Sequence, residues 1–447
     1  MGRLFGTDGV RGVANQELTP ELAFNLGRAA GYVLSKASKG RVIIGRDTRL
    51  SGHLLESALA AGVMSIGLDV DLAGVIPTPG IAYLTRKESY LFGVVISASH
   101  NPFEYNGIKF FSDQGFKLPD KVEDQIEELI YSDVKIYKNA TFEEVGNLRN
   151  IDDGREKYAN YLKGLSNLNL KGKKIAIDTG NGALYKIAKE VLEDLGANLV
   201  VINDKPDGTN INKNCGSTNP DLIRELVIKE KADCGFSFDG DADRIIAVDE
   251  KGQIVDGDHI LAICAMYLKR QNKLKNNKVV GTIMSNIGLE RYLQEEGIGL
   301  IHAKVGDRYV LEQMIGGDYS LGGEQSGHII FLDYNTTGDG LATGIHILEV
   351  MQNTKMKLSE LNELMISYPQ VLVNAKVRPD LKFKYLEDEK IKEKIKNMES
   401  KFEGKGRIVI RTSGTESLVR VMIEGEDEEE IKKEAQELAS FIEKRLG

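Results

Sequence analysis

The sequence is poor in cysteine, carries no excess of positive charge and has no long uncharged run. Three cysteines (Cys215, Cys234 and Cys264) stand far apart in 447 residues and form no C-x-x-C pair. That pattern argues against a disulfide framework or a thiolate zinc site, and it fits a reducing, cytoplasmic compartment. The net charge is -9, so no basic excess exists to displace counterions from a phosphate backbone, and no nucleic-acid partner is expected. A small anion needs only a local cluster of cations and stays open as a ligand. Uncharged stretches such as 57–68 and 72–85 are too short to span a bilayer, and glycine or proline interrupts them, so no membrane partner is expected. The first residues lack an apolar signal region, and Gly6 stands where a myristoylation motif wants Ser or Thr. Low-complexity tracts are missing too, and the charge run 426–433 reads as a solvated helix face.

What is present is an ordinary globular balance, 41% hydrophobic and 28% charged. The chain is too long for one core, and its length suggests roughly three or four domains. Short β-branched runs at 41–45, 90–96, 174–177, 234–238 and 278–282 read as buried strands. Helical patterns alternate with them. Thr19-Pro20-Glu21 offers a cap, a first-turn proline and an early acid, followed by Leu22, Leu26, Ala29 and Val33 at helical spacing. Segments 220–231 and 258–269 look alike. The alternation predicts an α/β protein: three consecutive α/β units with mixed sheets (1–152, 153–253 and 254–368) covered by helices. A smaller C-terminal α+β domain, 369–447, follows, with a charged helix at 388–400, strands at 407–411 and 418–423, and a final helix. Ligands of α/β sheets sit beyond the carboxyl ends of strands, so the four units are expected to surround a central cleft.

Four loops at strand ends carry the chemistry. Asp239, Asp241 and Asp243 recur every second residue directly after the apolar run 234–238. Oxygen-only donors at that density suit a hard divalent cation, magnesium before zinc. An EF-hand reading fails at Arg244, where the sharp turn requires glycine; a solvated loop without metal remains the plain alternative. The second loop, Ser97-Ala-Ser-His-Asn-Pro102, follows the strand ending at Ile96 and is placed to expose the Ser99 hydroxyl to a cleft, where serine, a weak nucleophile alone, needs a base or a metal-assisted phosphoryl group; His100 is beside it. A hydrolase would want a G-x-S-x-G elbow, which is missing, and neighbours on an extended loop point apart. A capped turn is the plain reading. In the third loop, 322–328, glycines bring Glu324, Ser326 and His328 close to a ligand with many hydroxyls. In the fourth, Arg411, Ser413, Gly414 and Thr415 make a phosphate cradle or else a hairpin turn, with Arg420 on the next strand.

Together, and in this order, these loops resemble the α-D-phosphohexomutase superfamily. Phe5-Gly-Thr-Asp-Gly-Val-Arg-Gly12 is similar to its N-terminal segment and Gly45-Arg-Asp-Thr-Arg49 to its early charged turn. Cys215-Gly-Ser-Thr218, Val305-Gly-Asp-Arg-Tyr-Val310, Gln325 and Thr336-Thr-Gly-Asp-Gly-Leu341 look like the branch acting on glucosamine phosphates. Tyr105 and Ser417 depart from that branch without removing a functional group.

The resemblance implies exchange of glucosamine 6-phosphate and glucosamine 1-phosphate, upstream of UDP-N-acetylglucosamine and cell-wall precursors. Ser99 would carry the phosphoryl group through a bisphosphorylated sugar, with a hexose 1,6-bisphosphate as activator. Magnesium would sit on Asp239, Asp241, Asp243 and an oxygen of phosphorylated Ser99. Glu324 and Ser326 would bind the sugar, and Arg411, Ser413, Gly414 and Thr415 its phosphate. Lys109 is the first candidate for proton transfer, with a lowered pKa expected of it, and Arg11 and His328 lie nearby by analogy. The partner is a small phosphosugar. Homodimers are common in the superfamily, although no surface stripe here demands one.

Overall fold

Strands form where β-branched runs predict them, and a computed structural model describes residues 3–6, 8–36, 38–132, 139–413 and 417–447. Among these residues the strands make four sheets, of six, five, four and three strands. The first holds β1 (Val10–Val13), β2 (Arg41–Arg46), β3 (Asp69–Val75), β4 (Phe92–Ile96), β5 (Tyr105–Ser112) and β6 (Leu148–Asn150), in the order β1-β5-β4-β2-β3-β6. The strands β2, β3, β4 and β6 run parallel, and β5 lies antiparallel between β4 and β1. The second sheet holds β7 (Lys174–Asp178), β8 (Asn198–Ile202), β9 (Cys234–Phe238), β10 (Ile245–Asp249) and β11 (Ile254–Val255), in the order β11-β10-β9-β7-β8. The third comprises β12 (Lys278–Thr282), β13 (Gly299–Ala303), β14 (Leu321–Gly323) and β15 (Ile329–Phe331). The last is wholly antiparallel: β16 (Gln370–Lys376), β17 (Gly406–Thr412) and β18 (Leu418–Gly425), with β18 in the middle. The mixed α/β class with a smaller α+β domain is therefore observed.

Two details go beyond the sequence reading. The pair β10–β11 is antiparallel and carries the second sheet to Val255. The seven-residue β16 is an edge strand whose alternation is diluted by Gln370, Asn374 and Lys376, and it is a third strand where two were expected.

The helix at Pro20–Ser35 starts as its sequence suggests, with the Thr19 side chain accepting from Leu22 N at 3.2 Å. It packs with the helices at 52–64 and 120–131 on one face of the first sheet, around Leu26, Leu59, Val94 and Ile126. The other face joins a larger core. Ile43 and Val95 of the first unit meet a continuous apolar cluster that includes Tyr158, Phe236, Val279 and Ile345 of the next two. The fourth unit keeps its own core, Val419, Val421 and Ile423 against Ile431, Leu438 and Ile442. Three units thus share one interior, and the fourth is attached from outside it.

Candidate active site

Each chemically loaded loop is the connection between a strand and an antiparallel neighbour. The Ser99 loop joins β4 to β5, the aspartate loop β9 to β10, the Glu324 loop β14 to β15, and the Arg411 loop β17 to β18. A hairpin connection at the carboxyl end of a strand carries its side chains beyond the sheet while the sheet fixes both flanks, and here Ser99, the three aspartates and Ser413 are buried rather than exposed.

Ser99 is held in a left-handed conformation, φ 52°, that costs energy for a residue with a Cβ and persists only where its surroundings enforce it. They do so here. The fully buried Arg49 donates to the carbonyls of Ser99 at 2.9 Å and Asn101 at 2.8 Å, and also to that of Pro102. Asn212 donates to the same Ser99 carbonyl at 2.8 Å. Asp47 orients Arg49 at 2.8 Å and accepts from Ser97 Oγ at 2.6 Å; that hydroxyl accepts from Ser99 N at 3.0 Å. Because this backbone is not extended, His100 does not point away as expected: its Nδ1 lies 3.4 Å from Ser99 Oγ. It is a poor partner for a hydrolase. Arg244 Nη1 is 3.2 Å from the same nitrogen, and burial with Arg244 and Arg11 pushes the ring pKa down to about 4.

Ser99 Oγ instead donates to Asp239 Oδ2 at 2.5 Å. One oxygen each from Asp239, Asp241 and Asp243 lies within 4.8 Å of the others, and all three residues are buried. Burial, then Asp243 and Asp241, pushes the Asp239 carboxyl well up. Asp241 Oδ1 and Asp243 Oδ1 are buried without a hydrogen-bond partner. Mutually repelling carboxylates with unused oxygens fit a hard cation, which would relieve both costs.

Lys109 lies on β5, a strand that the sequence reading did not assign. Its Nζ is 2.7 Å from Asp241, 2.8 Å from Asp8 and 3.8 Å from Asp243. Burial opposes its charge, but Asp241, Asp8 and Asp243 outweigh burial and push its pKa up. That corrects the lowered value expected of it: carboxylates, not arginines, are its nearest neighbours. His328 has Nδ1 3.7 Å from Asp243, and its Nε2 accepts from Gly338 N at 3.1 Å. Arg11 pairs with Asp8. Glu324 Oε1 accepts from Gly306 N at 3.0 Å, whereas Ser326 is exposed.

Arg411 faces Arg420 across β17 and β18, and burial together with Arg420 pushes its pKa down. Two adjacent guanidiniums make a place for an anion. Ser413 is buried on the same turn; Gly414 and Thr415 lie outside the described residues.

Several contributors escaped the sequence reading. Lys117, with a nearly buried side chain, bridges Asp8 and Asp307 from another unit. Thr78 Oγ1 donates to Asp241 Oδ2 at 2.5 Å. Asp8, Arg49 and Asp307 sit inside motifs that were noticed, so their type was visible but their role was not. Lys117 and Thr78 carry no local signal at all.

Comparison with known proteins follows this geometry. Models of phosphoglucomutase/phosphomannomutase α/β/α domains I, II and III match residues 2–135, 156–252 and 256–368, and that of the C-terminal domain matches 372–441. The chain belongs to the phosphoglucomutase/phosphomannomutase family. It is 57% identical to a phosphoglucosamine mutase of Alkaliphilus oremlandii, with 100% of both chains covered. A crystal structure of a phosphoglucomutase/phosphomannomutase family protein of Burkholderia thailandensis is 25% identical, with TM-score 0.81 over 98% of each chain. The Aspergillus fumigatus N-acetylphosphoglucosamine mutase, solved with GlcNAc-6P and magnesium, shares the fold at 17% identity and TM-score 0.73, over 99% of this chain and 96% of that one. As a member of the family the chain is a phosphohexomutase, each of its four matched domains carries one of the four loops, and its carboxylate triad could hold a metal ion. No described helix is long and apolar enough to cross a membrane.

Proposed function

We infer that this phosphohexomutase interconverts glucosamine 6-phosphate and glucosamine 1-phosphate, with Ser99 as the phosphoryl carrier. The observation that carries the reading is the Ser99 hydroxyl, locked at φ 52° and aimed at Asp239 in a triad with unused oxygens. The substrate rests on the name of the 57% identical relative and on the Gln325 and Cys215–Thr218 motifs. A calcium-binding module would account for the aspartates alone, and a glucose or mannose specificity would leave Gln325 without a reason.

Asp239, Asp241 and Asp243 would hold magnesium, which when bound supplies positive charge beside the phosphoryl oxygens. In the first transfer the bond from phosphorus to Ser99 Oγ breaks and one to the oxygen of the free sugar hydroxyl forms, giving a bisphosphate as that hydroxyl sheds its proton and Ser99 Oγ takes one up. After the sugar turns around, its other phosphate returns to Ser99, and a hexose 1,6-bisphosphate reloads any enzyme that has lost its phosphate. Arg11 and Arg244 flank the serine with fixed positive charge. Lys109 holds a proton at Nζ and is set to donate it to the departing oxygen; it becomes a base only when its carboxylates are engaged elsewhere. His328 keeps Asp243 in place. Glu324 and Ser326 face the sugar, and Arg411 with Ser413 to Thr415 grips the distant phosphate. The buried free thiols and the phosphorylated metabolite support a cytoplasmic setting for the reaction.

The test is phosphorus NMR of glucosamine 6-phosphate with protein, magnesium and a trace of hexose 1,6-bisphosphate, with glucose 6-phosphate in parallel. Faster 1-phosphate formation from the amino sugar, lost in Ser99→Ala, is expected. A faster glucose reaction would overturn the substrate; no turnover by folded, phosphorylated protein would overturn the mechanism.

A further inference from the structure

The segment Asp256–His259 opens the helix Gly257–Arg270 and touches two distant parts of the molecule. On one side lies the loop assigned to the sugar. Gln325, singled out as a mark of the substrate branch, donates Nε2 to Asp256 Oδ2 at 3.2 Å. Its carbonyl accepts from Gly257 N at 3.0 Å. The approach is so close that a Cβ on Gly257 would lie 2.0 Å from the Glu324 carbonyl oxygen.

On the other side lies the attachment of the fourth unit. Asp258, fully buried, accepts from Asn286 N at 2.7 Å. The Asn286 amide then clasps the chain entering that unit, donating to Tyr368 O at 2.9 Å and accepting from Tyr368 N at 3.0 Å. Here too the contact is backbone-close, since a Cβ on Gly288 would lie 1.9 Å from Ile366 O. Arg407 and Gln370 of the fourth unit donate to the carbonyls of Ser285 and Met284 in the same turn. The buried Glu424 holds Arg407 at 2.7 Å. Arg407 lies on β17, the strand that leads into Arg411.

The geometry points to Asp258 and Asn286 as positioning residues that fix the separation between the sugar loop and the phosphate-gripping loop, given the reaction inferred above. Neither belongs to the loops assigned to substrate. Both are buried, and between them they join the only two loops assigned to the non-reacting end of the substrate. A bisphosphate that must turn end for end without escaping needs those two grips held at one distance. Burial, with Asp256 nearby, pushes the Asp258 carboxyl up to about 7, in keeping with an acceptor whose neighbours serve to hold a turn.

The experiment compares Asn286→Asp, Asp258→Ala and Asp258→Asn with the wild type by hydrogen exchange and by phosphorus NMR during turnover. Asn286→Asp keeps both acceptor roles and loses only the donation to Tyr368. Asp258→Asn keeps an acceptor for Asn286 N, whereas Asp258→Ala does not. In Asn286→Asp and Asp258→Ala, amide exchange should quicken in both 322–328 and 368–372 by about fivefold, the scale of one lost hydrogen bond. Free bisphosphate released per turnover should rise by a similar factor, with Asp258→Asn close to wild type. Faster exchange limited to 284–290 and 368–372, with unchanged bisphosphate release, would overturn the coupling and leave a local structural role. A wild type inactive on glucosamine phosphates would overturn the substrate, while the exchange pattern would still decide the coupling.

Discussion

Lys109 and Asp258 show how one residue's surroundings can reverse what its type suggests. Lys109 lies among Asp8, Asp241 and Asp243 and is held as an ammonium, so it competes with any cation for the same oxygens. Lys109→Met should therefore bind magnesium more tightly in calorimetry, while turnover falls by about two to four orders of magnitude if the group transfers protons. An unchanged magnesium affinity would mean that the ammonium does not shield the triad. Asp258 behaves in the opposite sense to an ion-paired carboxylate. Its folded pKa is raised from 3.8 to about 7 by burial and by Asp256. Between those values the native state holds a proton that the unfolded chain gives up, so this group's cost to stability grows as pH rises from about 4 and is complete above pH 7. Asp258→Asn cannot ionise, and it should raise the melting midpoint by on the order of a few degrees more at pH 8 than at pH 5. Thermal melts at the two pH values decide it.

Hairpin connections were the legible elements. The aspartate spacing after an apolar run pointed to the carboxylate cluster, and the strand before Ser99 pointed to a loop there, but the serine expected to be exposed is buried. The opposing strand β5 was not legible, because Asn106-Gly107 reads as a turn and Lys109 interrupts its apolar pattern with a charge that proves to be buried and paired. Likewise Lys117 and Thr78 reach the site only after separate units come together, and no local spacing encodes that. Arg49 is an intermediate case, visible as part of a charged turn yet silent about its task of holding the Ser99 carbonyl. Arg49→Met would leave Asp47 buried without its partner and several carbonyls unsatisfied. A loss of about 3–5 kcal/mol is expected by denaturant titration. Below that range, the loop's conformation would have to be enforced by Asn212 and Ser97 instead.

At the scale of the molecule, three units share a core and the fourth has its own. A chain ended after Tyr368 should fold, keep cooperative unfolding and bind magnesium, yet lose turnover with the Arg411 loop; circular dichroism and metal titration check this. A truncated chain that fails to fold would show that the contacts of Arg407 and Gln370 stabilise more than they orient. The three thiols extend the same partition. Cys215 and Cys234 lie in the second unit and Cys264 in the third, all buried. Burial pushes the Cys215 thiol up to about 12 and the other two higher still, so none is a thiolate near neutral pH. Alkylating reagents and mild oxidants should pass over the native enzyme. Each label they do leave would be a time stamp of an opening in the middle of the molecule, blind to fraying at either end.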